Sequence, residues 1–280
     1  MEKKDLIIGV CSNLQYDDVK PWVKSSRDCG FKGDVVLMAI DMDEDSVKKV
    51  EADDVKVIKV KPHGSMRIHM ERFYHIHKFL SENGRNYDYV TSTDVRDVIF
   101  QRNPSDFFDF FTRKQGVSSG EAIQIKNEHW NRDNIIKNFG EYFYESIKEE
   151  VVQCVGILSG TASYIKNLSF YIYQMSLNRP DWVADQAAYN MIIHNTPWKQ
   201  LTHFSTLKDA WAINCHVTNY ERDKQKFEPY LLEKRPYFKD GLVVNSDGEP
   251  FHIVHQYDRV SEWKSYYEQK YNIKIKSQYV

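Results

Sequence analysis

The sequence predicts an α/β fold, one domain in two lobes, and three observations carry that expectation. Up to Asp97 the chain alternates strand, helix, strand, strand, helix, strand, the signature of a parallel, doubly wound half-sheet. Beyond Pro104 the pattern changes, yet no linker, internal repeat or low-complexity tract separates the halves. At the junction lies Tyr87–Arg102, where a β-forming run, Tyr87 to Thr91, leads straight into Asp94 and Asp97. A strand ending in paired acids delivers hard oxygen ligands to the edge of an open sheet, where α/β folds bind their ligands.

Leu6–Val10 is a compact apolar run of buried-strand length, followed by a loop from Cys11 to Tyr16. Asp17 or Asp18 then caps a helix with Pro21 in its first turn and Val19, Trp22 and Val23 on one face, and Gly30 ends it. Asp34–Ile40 is a second strand and Val55–Val60, with clean alternation, a third. The acidic segment between them, Asp41 to Asp54, lacks the glycine and terminal glutamate of a calcium loop and reads as a solvated helix or loop. Ser65 caps the next helix; Met66, Met70, Phe73 and Leu80 share its apolar face, with Ile76 and Phe79 beside them, and Asn83-Gly84 stops it. Arg67 and Arg72 lie on this helix just upstream of the acids, either facing a nucleotide or pairing with Glu71 or water.

In the second half, Val117–Lys126 and Val151–Leu158 read as strands around an irregular aromatic middle. Gly156 and Gly160 flank Ile157-Leu158-Ser159, where backbone can approach a ligand closely. Ser163–Leu177 and Trp182–Asn195 read as helices, the second with Asp185 and Gln186 near its start. Phe251 to Arg259 is a strand-like alternation that ends in a polar cluster.

Composition bounds the function. A hydrophobic fraction of 41% and a charged fraction of 28% over 280 residues are those of a globular chain that buries a sizeable core. A formal charge of −2 supplies no general attraction for nucleic acid or an anionic membrane. The 18 Tyr and 6 Trp can stack on sugar rings, but also simply fill a core. Cys11, Cys29, Cys154 and Cys215 form no Cys-x-x-Cys pair, which excludes a sequence-local zinc site and implies reduced thiols. The first apolar run is too short for a signal peptide and no segment reaches spanning length, so the expectation is a cytoplasmic protein with no membrane anchor. A dinucleotide Gly-x-Gly-x-x-Gly and a P-loop are both missing. Asp94 and Asp97 therefore suggest a metal-assisted site for a diphosphate-bearing substrate; the same pair also fits a turn-capping Asp94 and a solvated Asp97 beside Arg96.

The order of these features resembles the GT-A class of nucleotide-sugar glycosyltransferases, over nearly the whole chain. Shared are the N-terminal nucleotide half, the acidic motif after its last strand, a Gly-containing strand, an Asp-Gln helix and a late histidine. In size the chain also resembles glycosyltransferases that large algal (chlorella) viruses encode for capsid glycans, xylosyltransferases among them, which implies the host cytoplasm. The resemblance implies a single GT-A-like domain around a mixed central sheet, with a Rossmann-like nucleotide half (1–104) and an acceptor half (105–280) that ends in the metal and diphosphate segment. It implies Asp94, Asp97 and His255 as ligands of Mn2+ (or Mg2+), with two residues between the acids where the family has one; one acid then binds metal and the other ribose or a metal-bound water. His255 equally fits a satisfied strand histidine, and His252 points to the opposite face.

By the same resemblance Cys11-Ser12-Asn13 cradles the uridine of a UDP-sugar donor, and Arg72, Asp94, Arg259 and Lys264 stand near the nucleotide and diphosphate; Arg259 and Lys264 equally fit solvated surface charges. Asp185 is implied as the carboxylate that takes the proton of an attacking hydroxyl, with Gln186 bonding donor sugar or acceptor; Asp185 also fits a helix-terminal acid held by the dipole. The implied partners are a nucleotide sugar and a glycan or glycoprotein acceptor. A metal-dependent nucleotide-sugar hydrolase or phosphohydrolase, and a binding module without catalysis, are the alternatives.

Overall fold

The computed structural model describes residues 4–63, 67–108, 114–180 and 183–275 of the chain. Its first half consists of β1 (Lys4–Ser12), α1 (Tyr16–Asp28), β2 (Asp34–Ile40), α2 (Glu44–Ala52), β3 (Lys56–Lys59), α3 (Ile68–Asn83) and β4 (Tyr87–Thr93). The strands pair in parallel in the order β3-β2-β1-β4. Ile7 of β1 joins Val19, Trp22, Val23, Leu37 and Val50 in the core beneath α1 and α2. Its neighbours Leu6 and Ile8 join Phe73, Ile76, Leu80 and Val90 beneath α3. Burial on both faces is why β1 and β2 read as nearly unbroken apolar runs.

Two details of α1 differ from expectation. Gln15 is its N-cap, and its N–H donates to Asp18 Oδ2 at 2.9 Å, so Asp18 acts from inside the first turn. Pro21 consequently falls in the second turn. Gly30, with φ 86°, turns the chain after the helix in the left-handed region that glycine enters without strain. The acidic segment is a capped helix, since Asp43 Oδ1 accepts the Ser46 N–H at 2.7 Å. Arg67 is the N-cap of α3; Ser65 and Met66 lie outside the described residues.

The second half continues with β5 (Val98–Phe100), α4 (Ser105–Phe108), β6 (Gly116–Gln124), α5 (His129–Phe139), α6 (Glu141–Ile147), β7 (Val151–Gln153), β8 (Ile157–Thr161), α7 (Ala162–Ser176), α8 (Ala184–Ile193), α9 (Trp198–Leu201) and β9 (Thr202–Ser205). β8 runs antiparallel to β4, β6 antiparallel to β8 and β7, and β9 parallel to β6, which makes the central sheet mixed and eight-stranded. The aromatic middle is helical: the Glu128 carboxylate accepts the N–H groups of Trp130 and Asn131 to start α5, and Gly140, φ 91°, separates it from α6. Val151–Leu158 is two strands rather than one. Their break, Cys154 to Gly156, is where the chain passes the site described below. The expected helix from Trp182 is seen from Ala184 onward; Trp182 itself lies outside the described residues.

The rest of the chain is β10 (Ala212–Asn214), α10 (Cys215–Asn219), α11 (Lys224–Phe227), β11 (Tyr237–Lys239), β12 (Leu242–Val244), β13 (Ile253–His255) and α12 (Ser261–Tyr271). The expected strand from Phe251 is thus confined to β13 and passes into a 3-10 turn, Tyr257–Arg259. β13 is the centre of a small sheet, parallel to β10 and antiparallel to β5. Ile99, Ile213, Phe251, Val254, Tyr257, Trp263 and Tyr267 pack it against α12. Among the described residues no helix is long and apolar enough to cross a membrane.

One buried histidine links this fold to pH. His194, capping α8, donates from Nε2 to the Val151 carbonyl at 3.0 Å and stacks on Phe204. Burial pushes its pKa down to about 4 from 6.5. Stability from this group is therefore complete above pH 6.5 and is lost as pH falls toward the folded value, by about 2 kcal/mol at pH 5. The Tm of the protein should drop more steeply between pH 7 and 5 than that of His194→Gln; parallel Tm profiles would show that His194 does not carry the effect.

Candidate functional site

Three segments meet at the carboxyl end of the parallel strands. β4 finishes with Thr93 paired to Ile157, and the next N–H, that of Asp94, donates to the Gly156 carbonyl at 2.8 Å. Asp97 precedes β5, and its carbonyl accepts the Gln256 N–H at 2.7 Å. The register of the small sheet sets His255 between Val98 of β5 and Asn214 of β10. His255 Nε2 then lies 3.3 Å from Asp94 Oδ2 and 3.7 Å from Asp97 Oδ1. One ligand atom from each of the three residues lies within 4.8 Å of the others.

The tautomer follows from the neighbours. Asn214 Nδ2 donates to Ser119 Oγ at 2.7 Å, so the Asn214 carbonyl oxygen faces His255 Nδ1, at 2.9 Å. Nδ1 carries the proton, and the Nε2 lone pair is aimed at two carboxylates, an arrangement that calls for a proton or a cation between them. Burial disfavours the imidazolium, yet Cys154 and Asp97 outweigh it and hold the pKa above its ordinary value. Two hard oxygens and a nitrogen oriented from behind are a donor set suited to a divalent first-row cation. Asp97 is 8% exposed rather than solvated, and Arg96 Nη2 lies 3.7 Å from it and 3.3 Å from Asp258.

Gly156 is required by this geometry. A Cβ there would stand 2.4 Å from His255 Cε1 and 3.0 Å from Asp94 Oδ2. Gly156→Ala should displace the imidazole, cost roughly 1–3 kcal/mol of stability as an overpacked position does and, if the cluster takes up Mn2+, weaken that binding at least ~10-fold. Calorimetric Mn2+ titration and a melting curve check both, and wild-type values in both would count against the packing described.

A cavity of about 580 Å³ adjoins the cluster. Cys11 and Ser12 line it at the end of β1; the Cys11 thiol is neutral, its pKa pushed up to about 12 by burial and Asp18. Asn13 is outside the lining: φ 55° turns the chain there, and its amide donates to Ser12 Oγ at 3.0 Å. Arg72 lines the cavity and does not pair with Glu71, which holds His75. One guanidinium nitrogen meets Asp94 Oδ1 and the other lies 3.2 Å from Asp185 Oδ2. A buried guanidinium held by two carboxylates joins the cation cluster to the first turn of α8.

No protein-family model and no curated protein matches the chain.

Asp185 is 2% exposed and lines the cavity with one oxygen on Arg72 and the other, Oδ1, without a partner. Burial holds its pKa above the ordinary carboxylate range, against the pull of Arg72 and His69. Gln186 also lines the cavity, but its amide is engaged internally. Its Oε1 accepts the Val155 N–H at 2.9 Å, and Nε2 donates to Asn131 Oδ1 and the Gln153 carbonyl. It shapes the Cys154–Gly156 passage instead of offering hydrogens to a ligand. Arg259 lines the cavity beside His216, 2.7 Å away, whereas Lys264 lies outside the lining near Glu268. His252 bonds the Asn103 carbonyl away from the cluster. Sequence reasoning missed Asn214, Asp258 and Cys154. Asn214 carries no sequence signal, because only strand register brings it behind His255.

Proposed function

We propose that the protein is a metal-dependent glycosyltransferase with a GT-A-like arrangement, moving a sugar from a UDP-sugar to a hydroxyl of a glycan or glycoprotein. The observation that carries this reading is the meeting of Asp94, Asp97 and His255 beside a cavity that Asp185 also lines, one oxygen of its buried carboxylate having no hydrogen-bond partner. Asp94, Asp97 and His255 would hold the cation, and the imidazole favours Mn2+ over Mg2+. When bound, such a cation supplies Lewis-acid stabilisation of the charge on a departing diphosphate. The remaining work falls to the chain. The end of β1, at Cys11 and Ser12, offers a shelf for a nucleobase at the carboxyl edge of the parallel strands. Arg72 holds Asp94 and Asp185 in fixed orientation. Asp185 Oδ1 takes the proton of an attacking hydroxyl, and its raised pKa brings it toward the range useful for a base.

Release of UDP from a panel of UDP-sugars, UDP-xylose first, with and without EDTA and with and without glycan acceptors, tests the reading. Metal-dependent release stimulated by an acceptor is expected. Full-rate turnover in EDTA would remove the roles of Asp94 and His255 together. Release of free sugar unaffected by any acceptor would make the protein a hydrolase, and nucleotide binding without turnover would make it a binding module.

A further inference from the structure

Glu121 lines the same cavity from β6 and is 6% exposed. The pairing of β6 with β7 shifts register between Gly120 and Gln124, and Ala122 within that interval has φ 55°. A non-glycine residue in the left-handed region inside a strand is a bulge maintained at a cost, the kind of device that re-aims a neighbouring side chain. The other acids around the cavity have strong partners. Glu128 accepts two backbone N–H groups and the Asn131 amide, Asp94 and Asp185 share Arg72, and Asp97 has Arg96. Glu121, among the described residues, makes no ion pair; its carboxyl meets the Cys154 thiol, a weak donor. A carboxyl so buried and so poorly satisfied needs hydrogen-bonding groups from elsewhere.

We infer that Glu121 binds a hydroxyl of a sugar in this cavity and so determines which sugar it accepts, an assignment that rests on the reading above for the class of ligand. Two further features of the same walls fit a sugar. Trp130, 43% exposed, lines the cavity and offers an aromatic face for an apolar ring face. Asp185 Oδ1 is a buried oxygen without a hydrogen-bond partner. Burial, reinforced by Glu128, raises the Glu121 pKa to about 7, so near neutrality the group is available to donate as well as accept, as a hydroxyl does.

Saturation-transfer NMR with a panel of methyl glycosides, methyl xyloside included, tests the assignment without requiring turnover. Wild type should bind at least one glycoside, Glu121→Leu should weaken it roughly 10–100-fold, and Glu121→Gln should stay within a few-fold. Mn2+ and UDP affinities, measured by calorimetry, should be unchanged in both variants. Should Glu121→Leu fail to fold, Glu121→Asp, with its carboxyl withdrawn by one methylene, is expected to lose about 10-fold toward the same glycoside. Three results overturn the assignment: no glycoside of the panel binds wild type, Glu121→Leu (or Glu121→Asp in its place) binds as wild type does, or Mn2+ affinity falls with the glycoside and the carboxyl belongs to the cation site. Glycoside binding that depends on Glu121 in a protein with no affinity for UDP and Mn2+ would instead sink the nucleotide-sugar reading and leave Glu121 in its role.

Discussion

Asp94→Ala is expected to lower Mn2+ affinity by more than the ~10–100-fold typical of changes behind a ligand, and metal-dependent turnover by about 10³-fold, several kcal/mol of lost charge stabilisation. The size follows from its double engagement. Oδ2 faces His255 while Oδ1 meets Arg72, so truncation removes one of the three proposed cation ligands and one of two anions that keep a buried guanidinium in place. Asn214→Leu is the informative companion. It removes no ligand atom but frees His255 Nδ1 from the carbonyl that fixes its tautomer, and should cost ~10–100-fold in Mn2+ affinity. Calorimetry on the two variants and wild type separates ligation from orientation. Equal Mn2+ affinity in all three would leave the cluster a structural ion-pair network.

Asp185→Asn is expected to reduce turnover by ~10²–10⁴-fold, the usual contribution of a general base, with Mn2+ affinity unchanged. The substitution keeps the shape of the side chain but removes its charge from Arg72, 3.2 Å away. Stability should therefore fall by roughly 1–3 kcal/mol, less than for an arginine left wholly unpaired, because Asp94 still holds the other guanidinium nitrogen. A kcat loss without change in Mn2+ binding assigns proton transfer to Asp185. Loss of Mn2+ binding in this variant would instead make Asp185 part of the support of Asp94, acting through Arg72.

How much of this was legible depends on the range of the interactions. β1 and β2 read directly because strands buried on both faces are nearly continuous apolar runs, β4 read because Tyr87, Tyr89, Val90 and Thr91 are β-formers, and the Asp94/Asp97 pair read because it closes that strand. Gly156 was noticed as a point of close approach, though the partner that requires it, His255, is remote in sequence. The division of Val151–Leu158 was not legible: every residue of it suits a strand, and only the passage beside His255 and Asp94 breaks the pairing. The aromatic middle concealed two helices because the start of α5 depends on Glu128, an uncommon cap, and the exposed aromatics Tyr142 and Phe143 of α6 blur the period. For Arg72 the sequence left open a nucleotide or Glu71 and water as partners, and its two anions were not legible because they come from Asp94 and from α8, contacts between segments that periodicity does not register. Gln186 suited a ligand role by position, and only its three internal hydrogen bonds show where its amide is engaged.

The most direct measurement is an anomalous difference map at the manganese edge from crystals grown with MnCl2 and UDP. One peak bounded by the Asp94 and Asp97 carboxylates and His255 Nε2 is the expected result. A map with no peak there, or with manganese bound only at other acids, would contradict the claim that these three side chains form a cation site.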